Sequence, residues 1–304
     1  MKITGTFLDE ITYDIPSQNW GRAEWDRDFK TMKAVGIDTV ILIRCGLRKW
    51  MTYPSKVLAS REQCHTPSVD LIRMFLDLAE KYGLAFYFGT YDSGRYWQTG
   101  QHRQEIDLNQ RVVEEVWSRY GHSPAFKGWY LTQEVSRKVH GIIDIYAELG
   151  KFCKSVANLP VLISPYIEGC KAVAAGSEGI TAQQHAKDWD EIMAGIHSAV
   201  DIIAFQDGHV DFGELFEFLS VNKALADKHG LHCWTNSETF DRDMPIRFLP
   251  INWEKLRFKL EAARQAGYQQ AITFEFSHFM SPNSIWPSAH QLYRRYQEWQ
   301  AGKA

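Results

Sequence analysis

Apolar residues fall in short runs that recur along the whole chain, and several are unbroken. Thr39-Val-Ile-Leu-Ile43 and Leu84-Ala-Phe-Tyr-Phe88 have no polar alternation, the mark of parallel strands covered on both faces. Such runs predict strands near 3–8, 37–43, 84–90, 126–134, 160–166, 201–207, 231–238 and 270–277. Stretches with apolar positions at helical spacing follow each one, predicting helices near 22–35, 68–82, 103–120, 138–157, 183–199, 211–229, 252–266 and 287–300. Ser68 and Asp211 have the chemistry of helix starts, and Gly36, Gly83, Gly230 and Gly267 that of helix stops.

Eight strands alternating with eight helices predict an α/β fold, a (β/α)8 TIM barrel, with residues 1–304 as one domain. An open doubly wound sheet is the alternative. The first strand-to-helix turn, residues 9–21, has no Gly-x-Gly-x-x-Gly loop, and no Walker-type lysine motif occurs anywhere. The irregular segments follow strands (9–21, 44–67, 91–102, 167–182, 239–251 and 278–286), which places the long loops on the C-terminal, catalytic face of a barrel.

Two strand-like runs end on a glutamate: Lys127-Gly-Trp-Tyr-Leu-Thr-Gln-Glu134 and, three strand–helix repeats later, Leu231-His-Cys-Trp-Thr-Asn-Ser-Glu238. Strand side chains alternate in direction, so Tyr130, Thr132 and Glu134 share a face, as do His232, Trp234, Asn236 and Glu238, and Thr273, Glu275 and Ser277. Leu131, Leu231, Cys233, Phe274 and Phe276 would then face the helices. Polar groups pointing into a barrel are tolerated at its wet mouth. The same test adds Asp9 or Glu10, Arg44, Tyr91, Tyr166, and Gln206, Asp207 or His209 at the ends of other strands, although an acid just before a helix is often only a cap.

A carboxylate pair is the equipment of glycoside hydrolysis, one acid protonating the leaving oxygen and one carboxylate attacking the anomeric carbon or activating water. Glu134 and Glu238 are the candidates, with Asp9, Arg44, Gln206, Asp207 and Glu275 as hydroxyl binders and Tyr130, Tyr166 and Asn236 positioning the pair. The chain is rich in tryptophan, with eleven. Most suit core packing, but Trp20, Trp50, Trp97, Trp286 and Tyr91 fall near strand ends, where flat rings stack on sugar faces.

A net charge of −3, with Lys and Arg scattered, gives no pull toward nucleic acid or an anionic membrane. A small carbohydrate is the expected partner, and oligomeric state is not legible. A strand-like run starts directly after Met1, and five cysteines without Cys-x-x-Cys spacing argue against a disulfide framework or structural zinc. The expected setting is cytoplasmic, unless a signal peptide has been removed.

Two other functions use the same residues. Glu134, Asp207, His209, Glu238, Glu275 and His278 have the chemistry of a Mg²⁺ or Mn²⁺ site in a sugar isomerase or epimerase. No His-x-His or His-Glu-x-x-His pair supports that, and the glycosidase reading calls for no metal and no cofactor. The third function is a carbohydrate-binding barrel without turnover.

In strand number and in the glutamates at strands 4 and 7, the sequence resembles the large retaining clan of (β/α)8 glycoside hydrolases. That resemblance implies Glu134 as general acid/base and Glu238 as nucleophile. It departs at Gln133, where the clan usually has Asn, and this bears on the contact to the substrate 2-hydroxyl. A closer resemblance, nearly full-length, is to a bacterial glycoside-hydrolase-like family of unknown function. It is carried by Gly5-Thr-Phe-Leu-Asp9, Asn19-Trp-Gly21, Met32-Lys-Ala-Val-Gly-Ile-Asp-Thr-Val40, Ser164-Pro-Tyr166, Phe205-Gln-Asp-Gly208, Asn236-Ser-Glu-Thr-Phe240 and Phe274-Glu-Phe276. It implies a barrel and a link to carbohydrate without specifying the sugar.

Overall fold

The eight apolar runs become eight parallel strands: β1 (Ile3–Leu8), β2 (Thr39–Leu42), β3 (Ala85–Gly89), β4 (Phe126–Leu131), β5 (Val161–Ile163), β6 (Ile202–Gln206), β7 (His232–Asn236) and β8 (Ala271–Thr273). In the computed structural model, which describes residues 1–13, 15–242 and 248–303 without the side chains of 174 and 175, they close into a barrel in chain order. β1 pairs with β2 on one side and β8 on the other. Around them lie α1 (Arg22–Val35), α2 (Leu71–Tyr82), α3 (His102–Tyr120), α4 (residues 142–156, its middle turn Ile145–Leu149 π-helical), α5 (Ala182–Ile196), α6 (Phe212–His229), α7 (Trp253–Gln265) and α8 (Pro287–Gln300). Residues 243–247 of the predicted 239–251 loop lie outside the described residues.

The strands read as unbroken apolar runs because each has two faces to bury. Phe7, Ile41, Ile43, Tyr87, Tyr130, Leu162, Ile202, Ala204 and Ile272 fill the barrel interior. The opposite faces, with Trp129, Leu131, Phe86 and Phe205, pack on the helices together with the buried Trp25 and Trp189. At Gly128 a Cβ would overlap the Tyr87 ring across the β3–β4 ladder, so that ring lies inside the barrel only because no side chain is present there.

Helix ends follow the expected chemistry with one shift. Asp211 caps α6, its carboxylate accepting from Gly213 N at 2.9 Å. Asp70, not Ser68, caps α2: its Oδ1 accepts from Arg73 N at 2.9 Å. The helix starts at Leu71, so the side chain that reaches the orphan N–H groups is the one immediately before it. Gly36, Gly83 and Gly230 end helices in the left-handed region.

β8 is the main departure. It stops at Thr273, and Glu275 then caps a four-residue helix, Phe276–Phe279, accepting from Ser277 N at 2.7 Å and His278 N at 2.8 Å. The predicted alternation therefore breaks. Phe274 turns toward the barrel interior, Phe276 joins the outer core, and Glu275 is fully buried. The Phe274–Glu275 peptide is cis. Among the described residues no helix is long and apolar enough to cross a membrane.

Candidate active site

Over the C-terminal ends of the strands lies a cavity of about 220 Å³. Glu134 and Glu238 both line it, with Arg44 from the end of β2, Gln206 from β6 and Asn236 from β7. The barrel thus brings together two carboxylates that are far apart in the chain.

Glu134, three residues beyond β4, is half-buried. The Tyr130 hydroxyl, one turn of the pleat below, donates to Glu134 Oε1 at 2.8 Å. The Gln206 carboxamide donates to Ser164 O at 2.7 Å and supports the same carboxyl. Burial holds the Glu134 carboxyl above its ordinary value; the Arg44 charge and the Tyr130 and Gln206 hydrogen bonds only partly offset it.

Glu238, two residues beyond β7, is 1 % exposed. Arg242 Nε and Nη2 donate to Glu238 Oε2 and Oε1 at 2.9 and 2.7 Å, a forked grip on the whole carboxylate. The backbone beneath is fixed by Asp207, whose Oδ1 accepts from Glu238 N at 3.1 Å and from Lys259 Nζ at 2.8 Å. Lys259 also donates to Glu238 O at 3.3 Å. Burial by itself would raise the Glu238 carboxyl, but the Arg242 charge and hydrogen bonds, with Lys259, bring it below its ordinary value. Gly208 leaves room for this pair: a Cβ there would overlap Glu238 Oε2 and Arg242 Nε.

Among the other sequence candidates, Arg44, Gln206 and Asn236 reach the cavity, and Tyr130 touches it through Glu134. Asp9 lies just outside, Oδ1 accepting from Ile11 N and Thr12 N at 2.9 Å each and Oδ2 buried without a partner. It organises the loop that carries Thr12 into the cavity wall. Asp207 stands behind Glu238 as its support. Tyr166 stands half-buried with its ring 5.9 Å from His209. Tyr91 is fully buried, its hydroxyl donating to Arg48 O at 2.6 Å.

Glu275 is not at the mouth, because the early end of β8 turns it into a cap paired with His278 Nδ1. The Gln133 side chain points away from the cavity and donates to Glu105 Oε1 at 3.0 Å and Tyr91 O at 3.2 Å.

None of the four tryptophans lines the cavity. Trp20 packs edge-on against Trp25 at 5.0 Å beside α1, and Trp97 Nε1 donates to Asp92 Oδ1 at 2.9 Å. Trp50, 61 % exposed, lies against His65 on a small accessory sheet, and Trp286 occupies the residue before α8 without a side-chain bond to the helix. The walls are Phe7, Phe240, Phe248 and Phe274, with Tyr13 and Ile15. Trp20 and Trp97 pack partly against the outer core while Trp50 stays exposed, so phenyl rings and not indoles form the mouth.

Sequence reasoning missed Arg242, Lys259 and these phenylalanines. Arg242 carried a readable signal, a cation four residues beyond a candidate acid, whereas Lys259 is brought in by α7 and left none. Among the described residues no group of three or more His, Cys, Asp or Glu is placed to hold a metal ion.

Residues 3–286 match the family model described as domain of unknown function (DUF4434). A crystal structure from Bacteroides thetaiotaomicron VPI-5482, described as a "putative alpha-L-fucosidase", is 59 % identical with a TM-score of 0.95, covering 98 % of this chain and 92 % of that one. The endo-β-1,4-mannanase of Thermotoga petrophila shares the fold at 11 % identity and a TM-score of 0.60, covering 100 % and 77 %. A family 5 glycoside hydrolase of Bacteroides vulgatus ATCC 8482 does so at 12 % and 0.57, covering 85 % and 56 %. No curated protein matches the chain. With a family match spanning almost its whole length and a closed eight-stranded parallel barrel, the chain belongs to the DUF4434 family and has a glycoside-hydrolase-like TIM-barrel fold.

Proposed function

We propose that this chain is a single-domain glycoside hydrolase that acts by a retaining double displacement, with Glu134 as general acid/base and Glu238 as nucleophile. The observation that carries the reading is the opposite electrostatic setting of two carboxyls on one cavity. Burial raises Glu134, so it keeps a proton to give to the leaving oxygen; Arg242 lowers Glu238, so it stays ionised to attack. After attack, Glu134 is the base that activates water against the glycosyl–Glu238 ester. The glycosidase name of the B. thetaiotaomicron relative supports the same reaction class. Gln206 and Asn236 bind ring hydroxyls, and the phenylalanine walls exclude water.

The test is a panel of aryl glycosides on three proteins, with and without a chelator. Glu238→Gln abolishes turnover on every substrate. Glu134→Gln retains turnover where the leaving group needs no proton and loses it elsewhere. A chelator leaves all rates unchanged. Near-wild-type rates in both variants remove the assignment, and loss of activity to the chelator points to the metal-dependent isomerase or epimerase. The first-formed anomer, read by proton NMR, decides retention.

A further inference from the structure

Arg44 stands in the cavity wall with its side chain 12 % exposed, and among the described residues its guanidinium makes no hydrogen bond. Its Nε is buried without a partner, and the one carboxylate oxygen within 4 Å is Asp92 Oδ2, 3.9 Å from Nη1. Arg242, by contrast, commits Nε and Nη2 to Glu238. Of its nitrogens Nε is a buried donor left unused, which is costly and calls for an explanation in what the guanidinium binds. The planar fork of donors matches a carboxylate or a sulfate better than a lone hydroxyl.

Asn236 supplies a second unused group. It is 1 % exposed, lines the same cavity, and donates through Nδ2 to Ser164 Oγ at 3.1 Å. That bond sets the amide so that Oδ1, which has no partner, is left to accept from a hydroxyl. The cavity of about 220 Å³ presents both groups in one wall. Two cations, Arg44 and Arg242, stand in the cavity wall with the two glutamates.

We propose that the site takes a sugar bearing an anionic substituent, a carboxylate or a sulfate ester, received by Arg44 while Asn236 Oδ1 accepts a hydroxyl hydrogen of the same ring. This rests on the glycoside hydrolase reading for its substrate class, but its test does not need turnover. The intact protein is titrated calorimetrically with glucuronate and galacturonate, with galactose 6-sulfate, and with neutral glucose, galactose and L-fucose.

At least one acidic sugar binds about tenfold more tightly than its neutral parent, the size of one charge-assisted contact. Whether uronate or sulfate shows the preference names the substituent. Arg44→Gln brings the ratio close to one, and Arg44→Lys, which keeps the charge without the fork, retains part of it. Melting curves of both variants check that they fold, and the wild-type ratio stands whether they do or not.

A wild-type ratio near one, a preference for a neutral sugar, or a preference that survives in folded Arg44→Gln overturns the inference. Hydrolysis of neutral aryl glycosides without any acidic preference sinks this inference alone. An acidic preference in binding without hydrolysis of any glycoside sinks the catalytic reading alone.

Discussion

The ends of β4 and β7 carry the same residue type over the same cavity, yet the two carboxyls are held in opposite ways. At β4, Glu134 receives a hydrogen bond from a neutral phenol, and the nearest cation, Arg44, makes no hydrogen bond to it. At β7, Glu238 sits in a guanidinium fork, with an Asp207–Lys259 pair bracing the backbone. Burial presses both toward the neutral form, and only one has a cation close enough to win. Topology makes the two positions equivalent; four or five neighbouring side chains make them chemically distinct.

The strongest way to break that difference is Arg242→Gln. Without the guanidinium, the largest opposition to burial at Glu238 is gone, Lys259 alone offsets less of it, and the pKa rises. On the proposed roles, an ionised Glu238 and a protonated Glu134 coexist between their two pKa values, so wild-type kcat/KM should have an acid limb set by Glu238 below the ordinary glutamate value and an alkaline limb set by Glu134 above it. In Arg242→Gln the acid limb moves up and the window narrows. A pH–rate profile checks this, and an unmoved acid limb means that Arg242 does not control the nucleophile.

Gly208→Ala tests geometry at the same end. Its methyl overlaps Glu238 Oε2 and Arg242 Nε, so the carboxylate must shift. A displacement near 1 Å costs about 100-fold in kcat. Steady-state kinetics should show the loss in kcat, with the melting temperature changed little, since the overlap is with side-chain ends.

Tyr130→Phe sharpens the other end with a smaller effect. The ring stays in the barrel interior and only the donor to Glu134 Oε1 is lost. That bond favours the ionised form, so its removal moves the alkaline limb up, and the rate changes by less than about tenfold, the net worth of one hydrogen bond. A limb that moves down contradicts the placement.

The smallest effect is on stability, at the third candidate glutamate, Glu275, which caps a short helix and is shut away from the cavity. Its partner His278 is pulled down by burial but raised by Glu275, with Asp9 and Glu10 adding, to about 9 from an ordinary 6.5. The folded state therefore binds the proton more tightly than the unfolded chain. The pair's stabilisation is fully present below about pH 6.5 and is lost as pH rises through about 9. The melting temperature of the wild type should fall across that interval, and His278→Gln should flatten the slope.

The strands and helices were legible because each buried strand is a continuous apolar run and each helix carries its own period and stop. α1 and α8 occupy the spans that the pattern predicts, 22–35 and 287–300. Strand ends were harder to read, since the same residues continue apolar after the ladder stops. Thr273-Phe-Glu-Phe-Ser277 alternates like a strand but breaks after Thr273, and with it went the expected face of Glu275 and Phe274. The four tryptophans illustrate a second limit: a large ring near a strand end has a nearby core to fill, and nothing local says which it chooses.

By itself, then, the sequence determined the strand–helix repeat, the parallel sheet it implies, and which two glutamates stand at strand ends. These follow from local periods, and local periods are written in consecutive residues. Tertiary structure decided what each glutamate meets: Arg242 across a turn, Lys259 from α7, Tyr130 below, and phenylalanines in place of indoles at the mouth. Whether a carboxyl keeps its proton depends on charges and donors within a few ångströms, and those neighbours come together only when the barrel closes.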